Sequence, residues 1–194
     1  MSYIKRKLND DKGISILFAM VLLLVTAMVC TVIVSASVSS AKRTNSRIAA
    51  VQETTLMDSA TLYIKENILE SCKNGIELSC DKDNNCVISS SVSGTFNKEI
   101  EELSLAYINK SDTCMFDKAN DKSDKSFEIV TSYNDNENVI EVQYGYCYKN
   151  ASDDVAMAIF KLTCNESKMY AIFNIDRSGN NVSWSWNRAS GNGI

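Results

Sequence analysis

Seven cysteines and no histidine set the chemistry open to this chain of 194 residues. One thiol, Cys30, lies inside an apolar run, and the other six, Cys72, Cys80, Cys86, Cys114, Cys147 and Cys164, all follow it. Thiols can hold zinc, but no CxxC pair and no histidine is available to complete a structural zinc set. An even number of cysteines on one side of an apolar run is the pattern of a disulfide-forming compartment. It predicts at least two disulfides among the six, with 15 connectivities open; unpaired thiols are the alternative. The lack of histidine removes the commonest general base. No Gly-x-Ser-x-Gly elbow or glycine-rich phosphate loop is present, and no two carboxylates form a recognisable catalytic pair. No catalytic residue, no cofactor and no enzyme activity is therefore expected.

Three weaker patterns remain. Asp81-x-Asp83-x-Asn85 copies the first three ligand positions of a calcium loop, but Cys86 stands where the glycine belongs and Val92 where the terminal acid belongs. A solvated turn is the expected reading, with no metal site. Tyr144, Tyr146, Tyr148, Trp184 and Trp186 alternate along the chain. Such residues can form a binding surface, and more often they pack as cross-strand pairs. Asn109, Asn150, Asn165 and Asn181 begin N-x-S sequons, the number chance supplies in a chain rich in Asn and Ser.

The elements that carry these residues follow from the periodicity. Gly13 to Ala41 contains no charged residue. A bilayer core needs roughly 20 apolar residues, and Ile14–Val34 supplies them, with only Ser15, Thr26 and Thr31 polar. A helix apolar on all sides suits lipid. The chain is thus expected to cross a membrane once. Lys5, Arg6, Lys7 and Lys12 crowd the short segment before the span, which places the N-terminus in the cytoplasm and the rest outside. Proline is absent, so nothing forces a break after the span. Ala50, Met57, Ala60, Ile64 and Ile68 fall at helical intervals and form one stripe. The helix is expected to end near Asn74-Gly75. From Ile14 to Glu70 it would extend roughly 85 Å at 1.5 Å per residue.

Residues 75–96 read as irregular, and Asn97 can cap a short helix through Ile108. The period then changes to two. Phe127–Tyr133, Val139–Tyr148, Val155–Cys164, Met169–Ile175 and Val182–Trp186 read as strands, with a hairpin turn at Ser178–Asn181. The expected class is α+β: a long N-terminal helix packed on an antiparallel meander of four to five strands. The expected organisation is a basic leader over 1–13, a membrane helix over 14–38, its amphipathic continuation over 39–74, and a loop-and-sheet region over 75–194.

Lys12-Gly13 followed by Ile14-Ser-Ile-Leu-Phe-Ala-Met-Val-Leu-Leu-Leu resembles the N-terminus of type IV pilins and type II secretion pseudopilins. The specific likeness covers residues 12 to about 38, and the helix-then-meander order extends it loosely over the rest. The resemblance implies cleavage between Gly13 and Ile14 by a prepilin peptidase and methylation of the new amine. It also implies a helix that packs with other pilin-like subunits in a filament. Most members carry glutamate at the fifth mature position; here Phe18 stands there, as in a minority of minor subunits thought to sit at the filament tip. A lone carboxylate in lipid is costly without a partner, and Phe18 removes both the cost and the attraction. The resemblance thus implies a minor pilin or pseudopilin-like subunit that helps initiate or cap a filament. Removing the leader takes four basic and two acidic residues, leaving 16 basic and 22 acidic, which disfavours nucleic acid as a partner. Two other readings stay open. Val34-Ser35-Ala36 fits signal-peptide cleavage after Ala36, although the apolar run exceeds the usual 7–15 residues of such a segment. An uncleaved signal anchor carrying a binding or adhesion domain is the other.

Overall fold

The computed structural model describes residues 2–82, 85–133, 136–148, 155–165 and 167–191, with side chains described from residue 16 onward except at 132, 133 and 136. The chain divides into two compact units, one ending at Val51 and the other running Gln52–Ile194.

Helix α1 spans Ser2–Ser71, so the basic segment before residue 14 is helical too. In the first unit the side chains from Ile16 to Ala50 are exposed. The most apolar 18-residue window there has a mean hydropathy of 2.9, which makes this helix a candidate membrane span. Two hydroxyls within the apolar run are satisfied by the helix itself. Thr26 Oγ1 donates to the carbonyls of Leu22 and Leu23, at 3.0 and 2.9 Å, and Thr31 Oγ1 to that of Ala27 at 2.8 Å. Back-bonding of this kind leaves no donor seeking a partner, the condition hydrocarbon imposes on any polar group.

In the second unit the helical stripe is buried where the spacing placed it. Met57, Ala60, Ile64 and Ile68 are 4% exposed or less, whereas Ala50, at the stripe's start, belongs to the first unit and is exposed. The same spacing extends the stripe to Cys72. The helix stops at Ser71, and Gly75 closes it at φ +73°, its N–H donating to the Cys72 carbonyl at 2.9 Å.

The sheet has seven strands rather than four or five: β1 (Ile76–Cys80), β2 (Cys86–Ile88), β3 (Ser126–Tyr133), β4 (Asn136–Tyr148), β5 (Val155–Cys164), β6 (Ser167–Ser178) and β7 (Asn181–Ser190). The order across it is β2-β1-β7-β6-β5-β4-β3, with all pairs antiparallel. The five expected strands are β3–β7, and their meander is as read. The two additional strands come from the segment read as irregular. Their signal is short: Ile76 and Leu78 are buried while Glu77 and Ser79 are exposed, a period-2 pattern of only five residues.

Helix α2 covers Asn97–Ile108. Its N-cap is Phe96 rather than Asn97, and no side chain caps it; the Asn97 Oδ1 accepts from the Lys98 N–H at 2.7 Å. Phe96 is 4% exposed because it packs in the core edge-on to Tyr63 and tilted against Phe127, so burial sets the helix start here. One face of the sheet, with Ile140, Val142, Phe160, Leu162, Phe173 and Ile175, forms a single core with α2 and the buried stripe of α1. A smaller cluster, Phe116, Cys147, Ile159, Tyr170 and Ile172, lies on the opposite face.

Candidate functional site

The residues named from sequence fall into three groups. The first is the processing junction. Gly13 and Ile14 both lie within α1, and their side chains are outside those described. Immediately after them come Ile16, Leu17 and Phe18, exposed at 64–66%. An uninterrupted apolar surface of this kind needs either lipid or other apolar helices to cover it.

The cysteines form the second group. Only Cys80 and Cys86 are bonded, as directly opposed residues of β1 and β2. The expectation of two or more disulfides is therefore corrected to one. The physical reason is placement. Cys72 lies just beyond the end of α1, Cys114 in a 3-10 turn and Cys164 at the end of β5, all in the main core, while Cys147 faces the opposite side of the sheet. All four are buried free thiols. Burial raises each of them above the ordinary thiol range, and Cys72 is pushed up to about 12. Groups held this firmly as thiols are poor nucleophiles and poor metal ligands.

The third group, the weaker motifs, resolves into structure. The Asp81 carboxylate accepts from the Asn85 N–H at 2.8 Å, which makes the segment a closed turn; Asp83 lies outside the described residues. The aromatics point into the core as packing pairs. Tyr144 stacks on Phe160, while Trp184 and Trp186 pack on Phe173. Trp184 Nε1 donates to Ser104 Oγ on α2 at 3.1 Å, and the Lys65 ammonium lies 5.0 Å above the Trp186 ring.

Two polar clusters escaped the sequence. Glu102 on α2 pairs with the Lys125 ammonium and accepts from Tyr144 Oη at 2.8 Å. Asp121 accepts from Tyr170 Oη at 2.8 Å and pairs with Lys161 and Lys168 at 3.0 and 3.1 Å. Desolvation alone would raise both carboxyls; the hydrogen bonds of these partners outweigh it and hold both below the usual carboxylate range. Burial, with the bond to Asp121, pushes Tyr170 up to about 12. Asp121 sits at φ +51° on a hairpin closed by the Asp117–Lys122 bridge, and it ties that hairpin to β5 and β6. The partners of Asp121 stand 40 to 49 residues away in the chain, so no local motif could reveal them.

Comparison with protein-family models, curated proteins and solved structures finds no match to this chain.

Proposed function

We propose that this chain is a minor pilin or pseudopilin-like structural subunit, built to enter a membrane-anchored filament and to help initiate or cap it. The observation that carries the reading is the character of α1. Over residues 16–41 it is uncharged and exposed, with Thr26 and Thr31 bonded within the helix, whereas its last part presents a buried stripe to a sheet. The Lys12-Gly13-Ile14 junction at the head of the apolar run supports prepilin-type processing. On this reading a prepilin peptidase cuts before Ile14 and the apolar helix moves from lipid into contact with other pilin-like helices. The basic N-terminal segment lies in the cytoplasm, and the sheet domain lies outside.

Phe18 supports an end position. A shaft subunit is held by neighbours above and below, and an apolar residue in place of the usual acid removes one polar contact that sets axial register. The remaining helix packing is van der Waals contact, with no hydrophobic drive in lipid. Low copy number and dependence on other subunits follow.

Mass spectrometry of the mature N-terminus tests the proposal. A chain beginning at Ile14, with its amine methylated, is the expected outcome. A chain beginning at Ser37 would make it a secreted protein, and an intact Met1 would make it a signal-anchored domain. Immunogold labelling along whole filaments, instead of at one end, would refute the capping role.

A further inference from the structure

The sheet edge carrying β1 and β2 holds the one disulfide among the described residues, and a cation sits against it. Arg177, near the end of β6, places Nη2 3.7 Å from Cys80 Sγ and 3.9 Å from Cys86 Sγ. Its Nε donates to the Gly179 carbonyl at 3.0 Å, which fixes the guanidinium over the sulfurs through the β6–β7 turn. A disulfide sulfur is a weak acceptor that gains little from a guanidinium. A thiolate gains much more, because the charge then has a partner.

The two cysteines also differ in exposure. Cys80 is half-buried, whereas Cys86 is 3% exposed. The backbone that holds them opposite each other has hydrogen bonds of its own besides the S–S bond. The Cys86 N–H donates to Asn109 Oδ1 at 3.3 Å, and Asn109 Nδ2 donates back to the Cys86 carbonyl at 3.4 Å. The Asp81 N–H donates to the Asn85 carbonyl at 3.0 Å, closing the same turn.

We propose that Cys80–Cys86 is a reversible thiol–disulfide exchange site, with Arg177 stabilising the departing thiolate, and that its reaction partner is a dithiol of the extracytoplasmic space. A thiolate of that dithiol attacks the accessible Cys80 sulfur. The Cys80–Cys86 bond breaks, its electron pair leaves on Cys86, and the resulting thiolate faces Arg177. The second thiol of the partner, as thiolate, then attacks its own sulfur in the mixed disulfide and releases Cys80 as thiolate. The partner ends oxidised to a disulfide and this chain ends reduced, with both sulfurs still opposed across β1 and β2. The reverse sequence, with a disulfide donor, remakes the bond. The four buried thiols, raised by desolvation, are poor candidates for the same chemistry. This inference rests on the sulfur geometry and not on the filament role; only the compartment of the partner dithiol rests on the proposed topology.

The test treats the full-length protein in detergent with millimolar glutathione near neutral pH, quenches with an alkylating mass tag, and maps the products by mass spectrometry. The first adduct is expected on Cys80, with Cys86 appearing as the alkylated thiol. Replacing the charge in Arg177→Gln should slow exchange roughly three- to tenfold, since a leaving thiol of higher pKa departs more slowly. Arg177→Lys should recover most of the rate, which a purely structural role would not predict. A first adduct on Cys86 would overturn the proposal, as would an unchanged rate in the glutamine variant. Wild-type protein supplies its own check should that variant fail to fold: a disulfide untouched over hours in thiol, while denatured protein is reduced in minutes, also overturns it.

Discussion

Gly145 on β4 is where the crossing of two chain segments can be tested. The 3-10 turn and the residues after it run beside the end of β4 where β3 has stopped. Met115 bridges Tyr146, and the Phe116 N–H donates to the Tyr146 carbonyl at 2.7 Å. A Cβ at Gly145 would lie 2.9 Å from the Cys114 carbonyl oxygen, 3.0 Å from the Phe116 nitrogen and 3.1 Å from the Phe116 Cβ. Two of the three are backbone atoms, which cannot swing aside as a flexible side chain can. Gly145→Ala therefore forces the 114–117 segment away from the sheet. Overpacking of this kind costs about 1–3 kcal/mol. Weakening the Phe116–Tyr146 bond adds about 1 kcal/mol. Stiffening of the unfolded chain by alanine offsets about 0.4–1 kcal/mol. The net loss is about 2 kcal/mol, which lowers the midpoint of thermal unfolding by roughly 5–8 °C for a domain of this size. Tryptophan fluorescence of the full chain in detergent follows the transition, because Trp184 packs in the core and Trp186 against it. Hydrogen exchange at the Phe116 and Lys122 amides should accelerate in the same variant. A midpoint within a degree of wild type, with Phe116 exchange unchanged, would refute the close-crossing argument.

Ile64→Ala, at a wholly buried position of the α1 stripe, should cost about 2–5 kcal/mol in the same unfolding assay, whereas Leu62→Ala, at a position 52% exposed, should stay within about 0.5 kcal/mol. Asp121 and Glu102 are held below their unfolded values, so their contribution is full above the unfolded carboxyl pKa of about 4 and is lost as pH falls through the lower folded values. Asp121→Asn should cost about 1–3 kcal/mol near neutral pH by leaving the buried Lys161 short of its partner, and should flatten the acid slope of stability below about pH 4; an unaltered slope would count against the tether. Alkylation of denatured, unreduced protein should find five free thiols, Cys30, Cys72, Cys114, Cys147 and Cys164, and leave one disulfide intact; two or more disulfides would contradict the sulfur placement.

Much of this architecture was legible one residue at a time. The apolar run at Ile14–Val34 needs only composition and length to be read as a span. The Met57–Ile68 stripe needs only the helical repeat. Strand β5 was bounded at Val155 and Cys164 by its residue types alone, and the two-residue Gly179-Asn180 turn by its glycine, which takes φ +62° without strain. These features are local: the backbone preference of a few neighbours, repeated, outweighs everything distant.

What stayed hidden depends on partners far along the chain. Strands β1 and β2 are too short to announce themselves and form because β7 offers an edge to Ile76 and Glu77. In sequence, Cys80 and Cys86 are no different from Cys72, Cys114, Cys147 and Cys164; the strand register sets them opposite each other. Arg177 became their neighbour only through the β6–β7 hairpin, 91 residues from Cys86. The grip of Asp121 on Lys161, Lys168 and Tyr170, and the need for Gly145 to lack a side chain, belong to the same class. Composition and periodicity determined the two helices and β3–β7, because those follow from each residue's own contact with water, lipid or its near neighbours. Which thiols pair, which charges meet and where two segments cross were decided by tertiary packing, because the energy of those contacts lies in distances that sequence spacing does not encode.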